Sequence, residues 1–219
     1  MKKRLCCFIL AFILIAICQA GCSKKDNGMK KVVLNEVAHS IFYAPQYVAI
    51  EMGYFKDAGI DLVLETGFGA DKTMTALISG NADIGFMGSE STIYAYAEGS
   101  KDYAVNFAGL TQRAGNFLVA REKIDNFSWD MVKGKNVLGG RKGGMPQMVL
   151  EYILKSNNID PASDLSIDQS VDFGLTAGAF SGNTEYDFTV EFEPGATSLE
   201  KEGKGYVVAS LGVDSGYVP

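Results

Sequence analysis

The hydrophobic pattern predicts short strands that alternate with amphipathic helices in the first half of the chain. After Asp71, for example, Met74, Leu77 and Ile78 recur at i, i+3 and i+4, the spacing of one buried helix face. A strand–helix–strand order predicts a mostly parallel sheet that helices cover on both faces. We predict strands at residues 31–37, 61–65, 82–86 and 104–110, and helices over residues 45–57, from Asp71, and from Ser89 with Ile93, Tyr94 and Ala97 as apolar positions.

The same order of elements starts again after residue 110, without a sequence repeat. Pro146 suits the first turn of a helix that reaches Ser156, because proline lacks the N–H that a helix start leaves unused. The pattern therefore predicts two α/β lobes with chain crossings near Thr111 and Leu211, and a ligand cleft at the carboxyl ends of their strands. We predict strands at residues 117–120, 137–138, 166–171, 187–192 and 206–211, a short helix at 175–180, and Val149, Tyr152 and Ile153 on the apolar face of the helix from Pro146.

The N-terminus has the pattern of an export signal. Three cationic residues, Lys2 to Arg4, precede an apolar run over residues 5–18. A helix of that length would span roughly 21 Å, less than the ~30 Å of a bilayer core, so we favour a signal peptide over a transmembrane anchor. The run ends in Gln19-Ala20-Gly21-Cys22, which resembles a bacterial lipobox. This resemblance implies a signal peptide over residues 1–21, lipid attachment at Cys22 and a flexible linker over 22–30, with ordinary secretion as the alternative.

Composition narrows the class of protein. Of the 219 residues 47% are hydrophobic and 21% charged, as in globular domains. The formal charge is −6, and −9 without the three cations of the first 21 residues, which argues against a nucleic-acid partner. All four cysteines lie at or before Cys22, and His39 is the single histidine. The sequence therefore predicts no disulfide, no metal site, no cofactor and no catalytic residue, and thus a protein that is not an enzyme.

Three glycine-rich segments, at residues 67–71, 88–91 and 139–146, join a predicted strand to a predicted helix. Glycines let a ligand approach the backbone, and the free N–H groups of a helix start attract anions or polar acceptors. Plain turns are the alternative, and none of the three fits a phosphate-binding loop. We predict Arg141 and Lys142 to be solvated turn charges, with an anion clamp as the other interpretation.

Five further side chains are candidates for the cleft. Glu191 and Glu193 flank a phenylalanine at a predicted strand end, so alternation sends both to one face. One carboxylate could accept hydrogen bonds from a ligand amine, both could form an acid/base pair, or one could simply initiate a helix. Phe42, Tyr43 and Phe68 could stack on a flat ligand or pack in the core.

The segment from His39 to Leu62 resembles the first strand–helix–strand of substrate-binding proteins of ABC importers. The branch in question includes binders of thiamine pyrimidine precursors, aliphatic sulfonates, taurine and nitrate. The matching motifs are Gly53-Tyr54-Phe55, Ala58-Gly59-Ile60, residues 77–85, residues 132–137 and residues 191–194.

This resemblance implies an α/β protein of the type II periplasmic-binding-protein fold, in which two lobes enclose a ligand cleft. It implies a small-molecule ligand, an ABC permease and its ATPase as partners, and a position at the outer face of the cytoplasmic membrane through the N-terminal lipid. A thiamine pyrimidine precursor is the favoured ligand, since a carboxylate matching Glu191 pairs with the aminopyrimidine in such relatives; sulfonate, taurine or nitrate is the alternative. The ligand-binding residues implied are Phe42, Tyr43, Gly88, Ser89, Ser91, Gly143, Gly144, Met145 and Glu191.

The resemblance also sets expectations about domain boundaries. We expect lobe I over residues 31–110, lobe II over 111–210, and a return crossing toward lobe I over 211–219, with the C-terminal part of lobe I missing. Two other classes remain open. Fungal pyrimidine synthases share the fold but use an active-site histidine, where this chain has Ser91-Thr92, and a cysteine-rich segment. A lipid-anchored ligand sensor is the second alternative.

Overall fold

A computed structural model describes residues 28–172 and 174–218, so the predicted signal peptide and Cys22 lie outside the described residues. The strands are β1 Lys30–Glu36, β2 Ile60–Thr66, β3 Ile84–Phe86, β4 Asn116–Ala120, β5 Asn136–Leu138, β6 Ser166–Asp168, β7 Phe188–Phe192 and β8 Tyr206–Ser210. The helices are α1 Ala44–Glu51, α2 Tyr54–Asp57, α3 Ala70–Ile78, α4 Glu90–Ala97, α5 Met145–Ser156, α6 Thr176–Gly182, α7 Gly195–Lys201 and α8 Leu211–Asp214, with 3₁₀ turns at Ile41–Tyr43 and Trp129–Val132. No helix in these ranges is long and apolar enough to cross a bilayer.

The N-terminal region, residues 28–110, is built on a parallel three-stranded sheet in the order β2-β1-β3. Val32 and Leu34 of β1 and Met74 of α3 are its largest buried apolar side chains. A buried hydrogen bond from Thr73 Oγ1 to Asn35 Oδ1, 2.8 Å long, ties α3 to β1. The single helix predicted over residues 45–57 is divided into α1 and α2, because Gly53 adopts a left-handed conformation with φ of 80°.

The C-terminal region, residues 111–218, contains a five-stranded sheet in the order β6-β5-β7-β4-β8. Strand β4 runs antiparallel to both neighbours, while β5, β6 and β7 are mutually parallel, so the sheet is mixed. Successive side chains of a strand point to opposite faces, and both faces are packed. Leu118 belongs to a core cluster with α5, whereas the next residue, Val119, belongs to a second cluster with Phe180 of α6 and Leu199 of α7.

The alternation of strands and helices predicted from sequence is therefore present, and α5 begins at Met145 with Pro146 in its first turn as expected. The predicted strand at residues 104–110 is wrong. That segment is irregular: its apolar side chains Val105, Phe107 and Leu110 lie exposed, and it pairs with no strand within the described ranges. Pattern analysis also missed α7 and assigned Leu211 to a strand, although it begins α8.

Several predicted helix faces are only half correct. Met74, Val149 and Ile153 are buried as predicted, but Ile78 and Tyr152 are exposed. Ile93 and Tyr94 of α4 are exposed too, since no described element covers that face of the helix. Gly69, which has no side chain, precedes α3. Ser89 precedes α4, but its side chain makes no capping hydrogen bond.

Candidate functional site

A cavity of about 1020 Å³ lies where the two regions face each other. Residues 105–111 and 113–116 form one part of its wall, and the remainder comes mainly from the segments that follow β1, β2, β3 and β5 and from Phe192 at the end of β7. The latter segments lie at strand ends. These are the carboxyl ends of strands in both sheets, the position where open α/β sheets bind ligands. Of the nine predicted ligand-binding residues, those that border the cavity are Phe42, Tyr43, Gly88, Ser89, Gly143, Gly144 and Met145.

One side of the cavity is aromatic. The ring of Phe42 lies 5.5 Å from both Tyr43 and Phe192, and Tyr43 lies 4.5 Å from Phe86, all measured between ring centroids. Burial, reinforced by the nearby Glu36 carboxylate, raises the pKa of the Tyr43 phenol, so its hydroxyl keeps its proton. This wall offers flat apolar surfaces to a ligand from both regions of the chain.

The glycine segment before α5 is already engaged in hydrogen bonds. Gly143 N–H donates to Gln147 Oε1 at 2.5 Å, and Gly144 N–H donates to the Arg141 carbonyl at 3.2 Å. Gln147 in turn donates to Glu151, which holds the side chain in place. The two glycine N–H groups predicted to bind a ligand therefore have partners within the protein.

Glu191 and Ser91 are the two predicted ligand-binding residues that do not border the cavity. Glu191 is 3% exposed and accepts hydrogen bonds from Thr176 Oγ1 at 2.9 Å and Thr189 Oγ1 at 2.7 Å. Burial raises its pKa to about 7 although these two hydrogen bonds oppose the shift. Its neighbour Phe192 borders the cavity instead.

Glu193 and Phe68 have roles other than contact with this cavity. Glu193 accepts hydrogen bonds from the N–H and Oγ1 of Thr197, at 3.1 and 2.8 Å, in the first turn of α7. This is the helix-initiating role that was one of the sequence interpretations. Phe68 is exposed and does not border the cavity.

Two polar side chains that sequence reasoning missed border the same cavity. Glu90, at the start of α4, is 2% exposed, and Asn116, at the start of β4, is 1% exposed. Both carboxylate oxygens of Glu90 and both polar atoms of the Asn116 amide are buried without a hydrogen-bond partner. Burial raises the pKa of Glu90, although its own backbone N–H and that of Met145, which lie near the carboxylate without forming a hydrogen bond of normal geometry, oppose the shift. In the sequence Glu90 resembles an ordinary acidic residue of a first helical turn, so the sequence pattern does not indicate that it is buried.

The guanidinium groups that border the cavity are already bound. Arg141 pairs with Asp71 at 2.7 Å across the two regions, and also with Asp172. Arg113 donates to the Gly212 carbonyl at 3.0 Å. Among residues 28–172 and 174–218, no group of three His, Cys, Asp or Glu side chains is arranged to hold a metal ion.

Comparison with known proteins identifies the class. The family described as NMT1/THI5 like matches residues 41–200, and the chain belongs to this family. It is 50% identical over 208 residues to a protein of Bacillus subtilis (strain 168) that bears the name "Putative binding protein YtlA". The match covers 95% of this chain and 61% of YtlA, so the chain spans less than two thirds of that relative.

Solved structures with the same fold include binding proteins. A ligand-binding component of an ABC-type import system from Staphylococcus aureus, solved with zinc bound, matches with a TM-score of 0.62 at 18% identity, over 86% of this chain and 64% of that one. The aliphatic sulphonate binding protein SsuA of Escherichia coli matches at 0.56 and 15%, over 82% and 60%. The nitrate-binding protein NrtA of Synechocystis PCC 6803 matches at 0.58 and 18%, over 82% and 51%. The predicted α/β fold of periplasmic binding proteins is thereby confirmed.

Proposed function

We propose that the protein is the solute-binding component of an ABC importer and captures a small polar molecule in the cavity described above. The observation that carries this proposal is the cavity itself, which is of ligand size and lies at the carboxyl ends of strands from both sheets. Family membership and the import-system proteins among the structural relatives support it. In this proposal residues 31–110 and 111–210 form the two lobes, and Cys22 carries a lipid anchor at the outer face of the cytoplasmic membrane.

The ligand acts by bridging the two lobes. Contacts between them include the Asp71–Arg141 ion pair, the Phe42–Phe192 ring contact and a 3.2 Å contact from the Tyr94 hydroxyl to Met148 Sδ, all of them polar or aromatic. A ligand that touches both walls stabilises the arrangement in which they face each other, which is the state a permease would recognise. This function needs no covalent chemistry and no cofactor. Its proposed partners are a permease and its ATPase.

A thiamine pyrimidine precursor is the ligand we favour. The aromatic wall formed by Phe42, Tyr43 and Phe192 suits a flat ring. A sulfonate or nitrate ion is the second candidate, because structural relatives bind such ions. Against it, the N–H groups of Gly143 and Gly144 are engaged within the protein, and the guanidinium groups at the cavity already have partners.

A thermal-shift screen tests the function. The probes are 4-amino-5-hydroxymethyl-2-methylpyrimidine, thiamine, taurine, ethanesulfonate and nitrate, each titrated to saturation. A ligand present at about 100 times its dissociation constant adds about 2.7 kcal/mol to stability. We therefore expect the pyrimidine to raise the midpoint by about 5–11 °C.

A matched pair of substitutions locates the binding site. Phe42→Ala should weaken binding about 2- to 10-fold by removing the stacking surface, whereas Phe68→Ala, an exposed phenylalanine outside the cavity, should not. A shift with the anions alone would replace the pyrimidine by the second candidate. Equal effects of the two substitutions, or no shift with any probe, would contradict solute capture in this cavity.

A further inference from the structure

The strongest unexplained feature of the molecule is the pair of buried, unpartnered side chains at the cavity, Glu90 and Asn116. Protein interiors pair nearly all buried polar groups, because an unpaired polar group lowers stability and an unpaired charge lowers it more. Here four polar atoms on two side chains lack partners at the wall of one cavity. Their missing partners are therefore expected to come from what fills the cavity.

The two side chains come from different regions of the chain. Glu90 begins α4, which follows β3 of the first sheet, and Asn116 begins β4 of the second sheet. A single ligand bonded to both would join the two regions directly. Local structure makes room for this arrangement, since a Cβ atom at Gly88 would overlap the Glu90 carboxylate.

The chemistry of the pair indicates which ligand group fits. An ionised carboxylate accepts hydrogen bonds and donates none, while an amide both donates and accepts. An anionic ligand group without N–H donors would leave the two Glu90 oxygens unpaired, and Arg141 is already paired with Asp71 and Asp172. A nitrogen group with at least two N–H donors, such as an amine on a heterocycle or an amidine, matches the acceptors offered.

We propose that Glu90 and Asn116 are the specificity-determining pair of the cavity, and that they recognise an N–H donor group of a flat organic amine whose ring lies against Phe42 and Tyr43. The inference rests on the proposed function and assigns its ligand class. It places amine recognition at Glu90, since Glu191 is bonded to Thr176 and Thr189 away from the cavity.

The binding test uses two probes that differ in the donor group alone, 4-amino-2-methylpyrimidine and 2,4-dimethylpyrimidine. Titration calorimetry of the purified chain should show binding of the amine at least about 10-fold tighter than binding of the methyl analogue. Glu90→Gln and Asn116→Leu should each weaken the amine roughly 10- to 100-fold and leave the methyl analogue nearly unchanged. Glu98→Gln, which alters an exposed glutamate of the same segment, is the matched control.

Equal affinity of the two probes, or an unchanged affinity in Glu90→Gln, would overturn the assignment. Tight binding of ethanesulfonate or nitrate that Glu90→Gln leaves equal or strengthens would also overturn it, while leaving solute binding in place. These outcomes therefore distinguish a wrong ligand class from a wrong proposal of solute binding.

A second measurement needs no ligand. If the two groups serve ligand binding, they lower the stability of the unliganded protein. Glu90→Gln and Asn116→Leu should therefore raise the thermal midpoint of the unliganded chain by roughly 2–6 °C. Groups with a structural role would lower the midpoint when replaced. Stabilisation by both variants supports the pair as a ligand site, and destabilisation by both overturns it.

Discussion

The two regions of the molecule share a strand–helix order but differ sharply in how well they are packed. In the C-terminal region both faces of a five-stranded sheet are covered, and Leu118 and Leu154 are fully buried. In the N-terminal region the sheet has three strands, and large apolar side chains such as Phe107, 78% exposed, lie on the surface. The difference shows that element order sets topology, whereas the number of strands and the coverage of both faces set the size of the core.

This contrast bears on the cavity, which takes one wall from each region. A densely packed region holds its side chains in defined rotamers, while a thinly packed one opens locally at lower free energy. The wall that contains Phe192 and the start of α5 is therefore the more rigid one. The wall that contains Phe42, Tyr43 and Glu90 is the one expected to adjust on binding.

The largest expected effect comes from the same substitution made in each region. Leu118→Ala removes a side chain that is 0% exposed from the core and should lower the free energy of unfolding by about 3–5 kcal/mol. Leu110→Ala removes a side chain that is 69% exposed and should change it by less than about 0.5 kcal/mol. Urea denaturation of both variants measures the two values. Similar losses in the two variants would refute the contrast in packing.

A pH-dependent effect is expected next, at Glu191. Burial raises its pKa to about 7 in the folded protein, so the folded state binds a proton that the unfolded chain releases near pH 4.3. The parent protein should therefore lose up to about 3 kcal/mol of stability as pH rises from 4.5 to 8. Glu191→Gln cannot lose a proton, so its stability relative to the parent should increase over that interval.

Denaturation of parent and Glu191→Gln at pH 4.5 and pH 8 measures this difference. The low-pH comparison serves as the control, because both proteins are then neutral at this position. Any contribution of Glu90, whose pKa is also raised by burial, is common to both chains and cancels. A difference that is the same at the two pH values would show that burial of Glu191 does not control its titration.

The smallest expected effect concerns the ion pair between the regions. Asp71 and Arg141 lie 2.7 Å apart, but the Asp71 side chain is more than half exposed, so solvent screens the pair. A double-mutant cycle with Asp71→Asn and Arg141→Gln should give a coupling energy of about 0.2–1 kcal/mol that falls in high salt. A coupling well above this range, insensitive to salt, would mean that the pair holds the regions together.

Strongly patterned elements could be predicted from sequence, and elements that depend on distant neighbours could not. Strand β1 was predicted to within a residue at each end, and α5 to within one residue, because local alternation and Pro146 define them. Residues 104–110 have a strand-like pattern, but a strand also needs a partner, and pattern carries no information about partners. The helix Gly195–Lys201 was missed for a different reason, since its seven residues contain few apolar positions and so show no clear helical periodicity.

The candidate site was predicted in outline for a similar reason. Strand ends and glycine turns are local features, so seven of the nine predicted residues border the cavity. Glu191 and Glu90 are both acidic residues near a predicted boundary, and sequence alone favoured Glu191. The face on which each carboxylate lies depends on packing between α6 and β7 in one case and at the start of α4 in the other.

The placement of β4 has a consequence for the order in which the chain can fold during synthesis. Strand β1 pairs with both β2 and β3, and this sheet is complete once residue 86 has been made. Leu118 of β4, by contrast, pairs with Val190 on one side and Ala209 on the other. A growing chain therefore carries β4 with one edge unpaired until residue 192 has been made and the other until residue 210, so the better-packed region can form only after the N-terminal sheet is complete.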